Sequence, residues 1–487
     1  MRWIFVLLPL VQDSNPVDLF FEAEGPRKPS GPAEDAVFLR RLTLDLAGRL
    51  PREEEIRAFL KSRDRAKEVD RLLSSEDAAT YFADLWMQWL FDYDFEIRDL
   101  YAVDFSALHA WLKKQFQEDR PYGEFVRALL ADRGNRKERP AVNFALKHVR
   151  RGEPPVKLAV MSARLFLGRD IRCAQCHDDP FVESFKQEHF WGYLGFFRPL
   201  AASGYGLEER ENQSYGGMIA DHMGEKRVAP RFLDGRLPEK DERIGDALAR
   251  LTLSTPEASR AIVERMWRLL MARPIPPKLL AALAEDWEKH GGRIRHLLRR
   301  IVRSRAYQLS SAGGGPAREA YLAGPFKAMN LVQFMNSFSD AFDLHRWHDE
   351  MFRRAIKDPK ALEIFKDREV MRLFFHKWSK DMVFPKGADP EATDSTGTVR
   401  LALKLMNNDK IQSMVISGWG TLSRVLSKKS RPADRIELLF LTLLGRLPQR
   451  PELDRFVSHV ESATFPEKGY EDVFWVLVNS AEFLFVH

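Results

Sequence analysis

Phe38-Leu-Arg-Arg-Leu-Thr-Leu-Asp-Leu-Ala-Gly-Arg-Leu-Pro51 is the stretch from which the fold is read. From Val37 to Leu60 apolar residues recur at helical spacing, broken at Gly48 and Pro51. Glycine accepts the left-handed backbone that ends a helix, and proline lacks an N–H that a first helical turn leaves unused. The stretch therefore predicts helix, tight turn, helix. The same period predicts helices at Glu68 to Leu73, Ala78 to Phe91, Phe105 to Gln117, Tyr122 to Ala131, Val156 to Leu167 and Glu188 to Phe197. It resumes at Arg243 and marks Arg260 to Leu270, Lys278 to Lys289, Ile294 to Arg303, Ala317 to Leu344 and Thr398 to Met406. The opening unit has one echo, Leu439-Phe-Leu-Thr-Leu-Leu-Gly-Arg-Leu-Pro448, which continues through Glu55 with Glu452 and Phe59 with Phe456. A single echo is not a solenoid, whose units recur at a short fixed period, and it carries no function by itself.

Between Ala202 and Asp241 the helical period stops, and Gly204, Gly206, Gly216, Gly217, Gly224 and Gly235 alternate with prolines and charges. With 487 residues the chain is long enough for two full cores. The expected fold is mostly α: two helical domains, at 33–200 and 243–487, joined by an irregular Gly-rich segment at 201–242. Minor β structure is expected around Arg227 to Leu233, and a second irregular stretch at Phe384 to Gly397. At the start, Arg2 and the apolar run Trp3 to Val11 precede polar Gln12 to Asn15, the pattern of a secretory signal peptide over residues 1–16. The alternative is a hydrophobic first helix of the mature fold. The nine residues from Trp3 to Val11, Pro9 among them, are too few to span a bilayer, which needs about 20, and no later segment is apolar enough, so no membrane span is expected in the mature chain. The expected location is extracytoplasmic, periplasmic or secreted.

Apolar residues make up 45% of the chain and charged residues 30%, the balance of a folded protein. The net charge of +6 is the small difference of 76 basic and 70 acidic residues spread over the whole length, which argues against a nucleic-acid partner. Arg299, Arg300, Arg303 and Arg305, or Lys428, Lys429 and Arg431, read as solvated helix faces. There is no Gly-x-Ser-x-Gly elbow, phosphate-binding Gly-x-x-x-x-Gly-Lys loop or His-Glu-x-x-His helix, and the question of enzymatic activity stays open.

Both cysteines lie in Arg172-Cys173-Ala174-Gln175-Cys176-His177. Cysteines three apart on one helical turn share a face, where two thiols can form thioether bonds to the vinyl groups of a haem, and the adjacent His177 can bind the iron. That is the c-type attachment pattern. Three other readings stand beside it: a disulfide, a zinc site completed by His189 or Asp179, and inert thiols. Phe181, Phe185, Phe190, Trp191, Tyr193, Phe196 and Phe197 can wall a porphyrin or simply fill a helical core. Met218 and Met223 are candidates for a further axial metal ligand, with His148, Met161, His189 and His222 as alternatives. His345 and His348, beside Asp349 and Glu350, read as an exposed helix face before they read as a metal site.

With these residues in view, the chain resembles a family of secreted planctomycete proteins in which a planctomycete cytochrome C-like domain precedes a domain of uncharacterised function. Phe38 to Pro51 looks like the family's opening motif, and Phe166-Leu-Gly168 leading to Cys173 through Phe181 like its central one. Arg260 to Trp267, Ser304 to Ser311, Gly397 to Asn407 and Asn479 to His487 are similar to later landmarks. The resemblance implies a secreted protein, and the cysteine motif carries the leading reading: a single-haem c-type redox protein with haem c at Cys173, Cys176 and His177 and a redox partner protein. The sequence departs from the family at Asp179, where a second histidine is usual, and at Glu264 and Val486, where asparagine is usual. The alternative function is a secreted structural or binding module, its motif holding a metal or disulfide and its second domain contacting a partner or a carbohydrate.

Overall fold

The helical period is realised: the chain is mostly α with small antiparallel sheets. The structure, a computed structural model, describes residues 14–23, 29–91, 99–149, 154–182, 185–210, 217–221, 224–312, 321–344, 420–428 and 431–487, with a few positions between 367 and 415. Helices α1 (Pro16–Ala23), α2 (Asp35–Ala47), α3 (Glu53–Ser62), α4 (Arg65–Leu73), α5 (Glu76–Phe91) and α6 (Asp99–Ala102) come first. They are followed by α7 (Phe105–Gln117), α8 (Tyr122–Ala131), α9 (Val142–Leu146), α10 (Val156–Leu167) and α11 (Gln187–Leu194). Strands β1 (Gly134–Asn135), β2 (Leu200–Ala202) and β3 (Gly206–Glu209) form an antiparallel sheet in the order β1-β3-β2, and β4 (Gly217–Asp221) pairs with β5 (Gly224–Val228). Next are α12 (Ile244–Leu253), α13 (Pro256–Met271), α14 (Pro277–Lys289), α15 (Ile294–Arg303) and α16 (Arg305–Gln308). Strand β6 (Lys327–Ala328) precedes α17 (Leu331–Phe342), α18 (Gly420–Ser427), α19 (Pro432–Leu444), α20 (Arg450–Ser462), α21 (Pro466–Val478) and α22 (Ala481–Leu484), and β7 (Phe485–Val486) pairs back with β6.

Local chemistry sets the ends. Asp104 accepts the Ala107 N–H at the start of α7, and Asp64 accepts the Lys67 N–H at the start of α4. Helix α2 stops at Gly48, whose φ of 65° is left-handed. Of the expected helix at Ala317 to Leu344, residues 317–320 lie outside the described residues; residues 321–330 are not helical, because Lys327–Ala328 is drawn into a strand, and the helix runs from Leu331, where Asn330 and Gln333 cap each other. Extended structure reaches into the expected Arg227 to Leu233 stretch only at Arg227 and Val228, the end of β5; the rest lies earlier, on β2 through β4 and the start of β5. Phe384 to Gly397 and nearly all of Thr398 to Met406 lie outside the described residues, as do His345 and His348.

The two echoed units are two helix-turn-helix pairs, α2–α3 and α19–α20, each turning on a left-handed glycine, Gly48 or Gly445. They meet: a side chain at Gly445 would press on Pro51 and Arg40 of the first unit. Contacts also join regions far apart in sequence, since α12 packs on α8 and α13 on α10, within one cluster of buried apolar side chains. A buried polar knot lies inside it. Lys327 Nζ is 2.7 Å from Asp45 Oδ1, the Tyr307 hydroxyl donates to Asp45 Oδ2 at 2.8 Å, and Gln333 donates to the Leu44 carbonyl at 3.0 Å. Two of the family-like motifs, Phe38 to Pro51 and Ser304 to Ser311, meet at this knot. A buried charge is tolerated only when paired and hydrogen-bonded, as Asp45 and Lys327 are.

The Gly-rich segment is tied on both sides. Glu209 takes Arg133 at 3.1 Å and accepts the Ile244 N–H at 3.1 Å, and the Arg231 N–H donates to Gly192. At the other end Asn15 accepts the Val17 N–H at 3.0 Å and donates to the Arg300 carbonyl at 2.7 Å, and Val17 is fully buried. The fold thus uses residues on both sides of position 16. Among the described residues, no helix is long and apolar enough to cross a membrane.

Candidate functional site

Gly168, at φ 63°, ends α10 and releases the chain toward the cysteine turn. Helix α13 braces this end, since Arg265 donates to the Leu165 carbonyl at 2.7 Å and lies over the Trp89 ring. Buried Ile171 and Ala174 pin the turn to the core, so Cys173 and Cys176 face outward as free thiols. Cys173–Gln175 is a single 3-10 turn rather than part of an α-helix, and the N–H groups of Cys176 and His177 both reach the Cys173 carbonyl at 3.4 Å. At three residues per turn, side chains three apart eclipse, which keeps the two cysteines on one side.

His177 is exposed, and its Nδ1 lies 2.7 Å from the Asp178 carbonyl. A carbonyl only accepts, so Nδ1 carries the proton and Nε2 keeps its lone pair free for a metal. His189 has the opposite arrangement: its Nδ1 accepts the Lys186 N–H at 2.9 Å, which leaves the proton on Nε2. Its ring stacks on Phe185, and its Nδ1 also lies 3.3 Å from the Lys186 carbonyl.

The neighbouring carboxylates hold the loop. Asp178 Oδ1 accepts the Gln187 N–H at 2.9 Å and Lys186 Nζ is 3.3 Å from its Oδ2; that N–H first, and then Lys186, keep the carboxyl below its ordinary range. Gln187 in turn donates to the Gln175 carbonyl at 3.1 Å, fastening α11 to the cysteine turn. Asp179 Oδ1 accepts the Phe181 and Val182 N–H groups at 2.8 and 3.0 Å. Asp179, where the resemblance leads one to expect a histidine, is therefore a turn former, with one oxygen engaged by backbone. Of the other two departures, Glu264 makes an exposed pair with Arg268, and Val486 is buried in β7.

Most of the aromatic run is core: Phe185, Phe190, Tyr193, Phe196 and Phe197 are buried, Trp191 partly so. Phe181, five residues beyond Cys176, is the exception at 90% exposed, with Val182 at 40%. Met218 lies on β4, opposite Arg227 of β5, and this hairpin and the cysteine turn both approach α11. Met223 and His222 lie outside the described residues. His148 packs against Phe91 and Phe144, and Met161 against the core.

Two free, outward thiols on one turn and an imidazole with an available Nε2 are the kind of donor set that covalent haem attachment uses. Residues 17–202, which contain this turn, match the family model PSCyt2, a protein of unknown function (DUF1549). Residues 200–377 match DUF1800, also a protein of unknown function. The two matches follow one another along the chain, as in a two-domain planctomycete-type family. No curated protein and no solved structure matches the chain.

The sequence reading missed a polar cluster at Asp286, His290 and His296. The signal was the pair of histidines either side of Gly291-Gly292, one helical turn beyond an aspartate.

Proposed function

We propose that the protein is exported and carries one covalently attached haem, with Cys173 and Cys176 as anchors and His177 as axial ligand, and that it passes electrons to a partner protein. The observation that supports this best is the His177 tautomer, because Nδ1 held by the Asp178 carbonyl turns Nε2 into a ligand beside two free thiols. When bound, the haem supplies one-electron redox chemistry. The chain's own part is to hold the turn rigid: Gln187 and Lys186 fix Asp178, Asp178 fixes His177, and Asp179 fixes the loop that presents Phe181. Export belongs to the proposal because c-type attachment follows translocation.

The test is a pyridine haemochrome spectrum and intact mass of wild type and His177→Ala, both matured in an export-competent host with active c-type attachment. The wild type is expected to gain one haem, and His177→Ala to keep the thioether links with a changed Soret band and potential. A colourless wild type with two titratable thiols would overturn the haem reading. Zinc content would then separate a metal-holding module from a disulfide-bearing one, and the carbohydrate or protein contact of that alternative would become the question.

A further inference from the structure

We propose that Asp286, His290 and His296 form a site for a divalent transition ion of the zinc type, separate from the cysteine turn. Asp286 and His290 stand four residues apart at the end of α14 and so share a face. The chain then reverses over Gly291 and Gly292, both left-handed at φ 76° and 62°, and Trp287 Nε1 closes the turn on the Arg293 carbonyl at 2.9 Å. Helix α15 brings His296 back over His290, with ring centroids 4.0 Å apart and planes 14° from parallel. One ligand atom from each of the three residues lies within 4.8 Å of the others.

The individual groups are arranged for coordination. His290 Nδ1 is 2.7 Å from the Asp286 carbonyl, so Nδ1 holds the proton and Nε2 is the free donor. His296 Nε2 lies 2.8 Å from Asp286 Oδ2 and donates to it, so a cation binding at Nε2 takes the other neutral tautomer of the ring, with the proton moved to Nδ1. Two imidazoles and a carboxylate, with water in the fourth place, make an open zinc-type set. Arg300 also holds Asp286, at 3.1 and 3.2 Å, so the ion must displace the guanidinium from one oxygen, and the two rings must splay from their stack. Side-chain exposure of 13% at Asp286, 16% at His296 and 40% at His290 gives entry from the His290 side.

The experiment uses the full-length chain carrying Cys173→Ser and Cys176→Ser and no histidine tag, so that the thiols do not compete. Titration with Co²⁺ should saturate at one ion per chain, with the visible absorption of a four-coordinate site and a rise in Tm, and Zn²⁺ should displace it. His290→Gln should weaken uptake about tenfold or more through loss of one ligand, and His296→Ala should abolish it. Because His296 is partly buried and its variant can fail to fold, the exposed His290→Gln variant decides. Absence of saturable uptake, or affinity unchanged by His290→Gln, would overturn the assignment.

Discussion

Arg49 and Arg446 are one structural residue used twice. Each follows a left-handed glycine and forks a glutamate six residues on: Arg49 reaches Glu55 at 2.8 and 2.9 Å, and Arg446 reaches Glu452 at 2.8 and 2.9 Å. Each then takes a second carboxylate, Asp77 at 2.6 Å or Glu482 at 2.5 Å. The glutamate also accepts a backbone N–H at the start of its helix, from Arg52 or Gln449, so the fork locks turn and helix together.

Removing either arginine leaves carboxylates without their partner, but the surroundings differ. Arg49 and Glu55 are 8% and 10% exposed, whereas Arg446 and Glu452 are 19% and 33% exposed. Arg49→Ala is expected to cost about 3 kcal/mol, as for a broken buried pair, and Arg446→Ala about half that. Urea unfolding of the two variants measures both; equal losses would contradict the burial argument.

Acid should weaken the first copy through Glu55. Burial opposes its ionisation, but the Arg49 hydrogen bond, the Arg52 N–H and the charges of Arg49 and Arg71 outweigh it and hold the carboxyl at about 2, against an ordinary 4.5. A depressed folded value means that Glu55 contributes stability above about pH 4.5, lost as pH falls toward 2. Wild type should therefore lose its Tm advantage over Glu55→Gln between those limits, as read by thermal melts from pH 6 to 2.5. A gap that stays constant would rule this out.

The two turn glycines should not tolerate alanine equally. Both demand a positive φ, which costs a non-glycine residue about 1 kcal/mol or more. At Gly48 the added methyl is driven into the rigid Tyr81 ring, whereas at Gly445 it meets Pro51 Cγ at 3.0 Å, where a few tenths of an ångström suffice. Gly48→Ala is expected to lose about 3 kcal/mol or more and Gly445→Ala about 1–2 kcal/mol. Guanidinium midpoints for the pair give the comparison.

Asp179→Ala removes the acceptor of two loop N–H groups, at Phe181 and Val182. About 1–2 kcal/mol of local stability should go with it, so amide exchange at those two positions should quicken about tenfold. The helices should be unaffected. Unchanged exchange at Phe181 and Val182 would show that the loop is held by something else.

Helices were legible where period and caps agreed. Phe105–Gln117, Tyr122–Ala131, Val156–Leu167 and Ile294–Arg303 run between the ends that the pattern gave them. Helix α1 was not read, because eight residues behind an apolar leader-like run carry only about two turns of period, and its support comes from α14, α15 and α16. The cysteine turn was legible as a motif, but the features that prepare it were not. The His177 tautomer, the employment of Asp179 and the exposure of Phe181 depend on backbone groups that no side-chain spacing encodes. Likewise, Arg299 and Arg303 look like a basic stripe in sequence, yet both are drawn onto Asp70 of α4.

Arg40 donates to the carbonyls of Glu482 and Phe483, more than 440 residues away, at 2.5 and 3.3 Å. The opening helix-turn-helix thus cannot complete its packing while the chain is still being synthesised. Until the final turn emerges, α2 has a buried guanidinium without its acceptors and an uncovered apolar face. A nascent chain of this kind keeps that apolar face uncovered until late in synthesis.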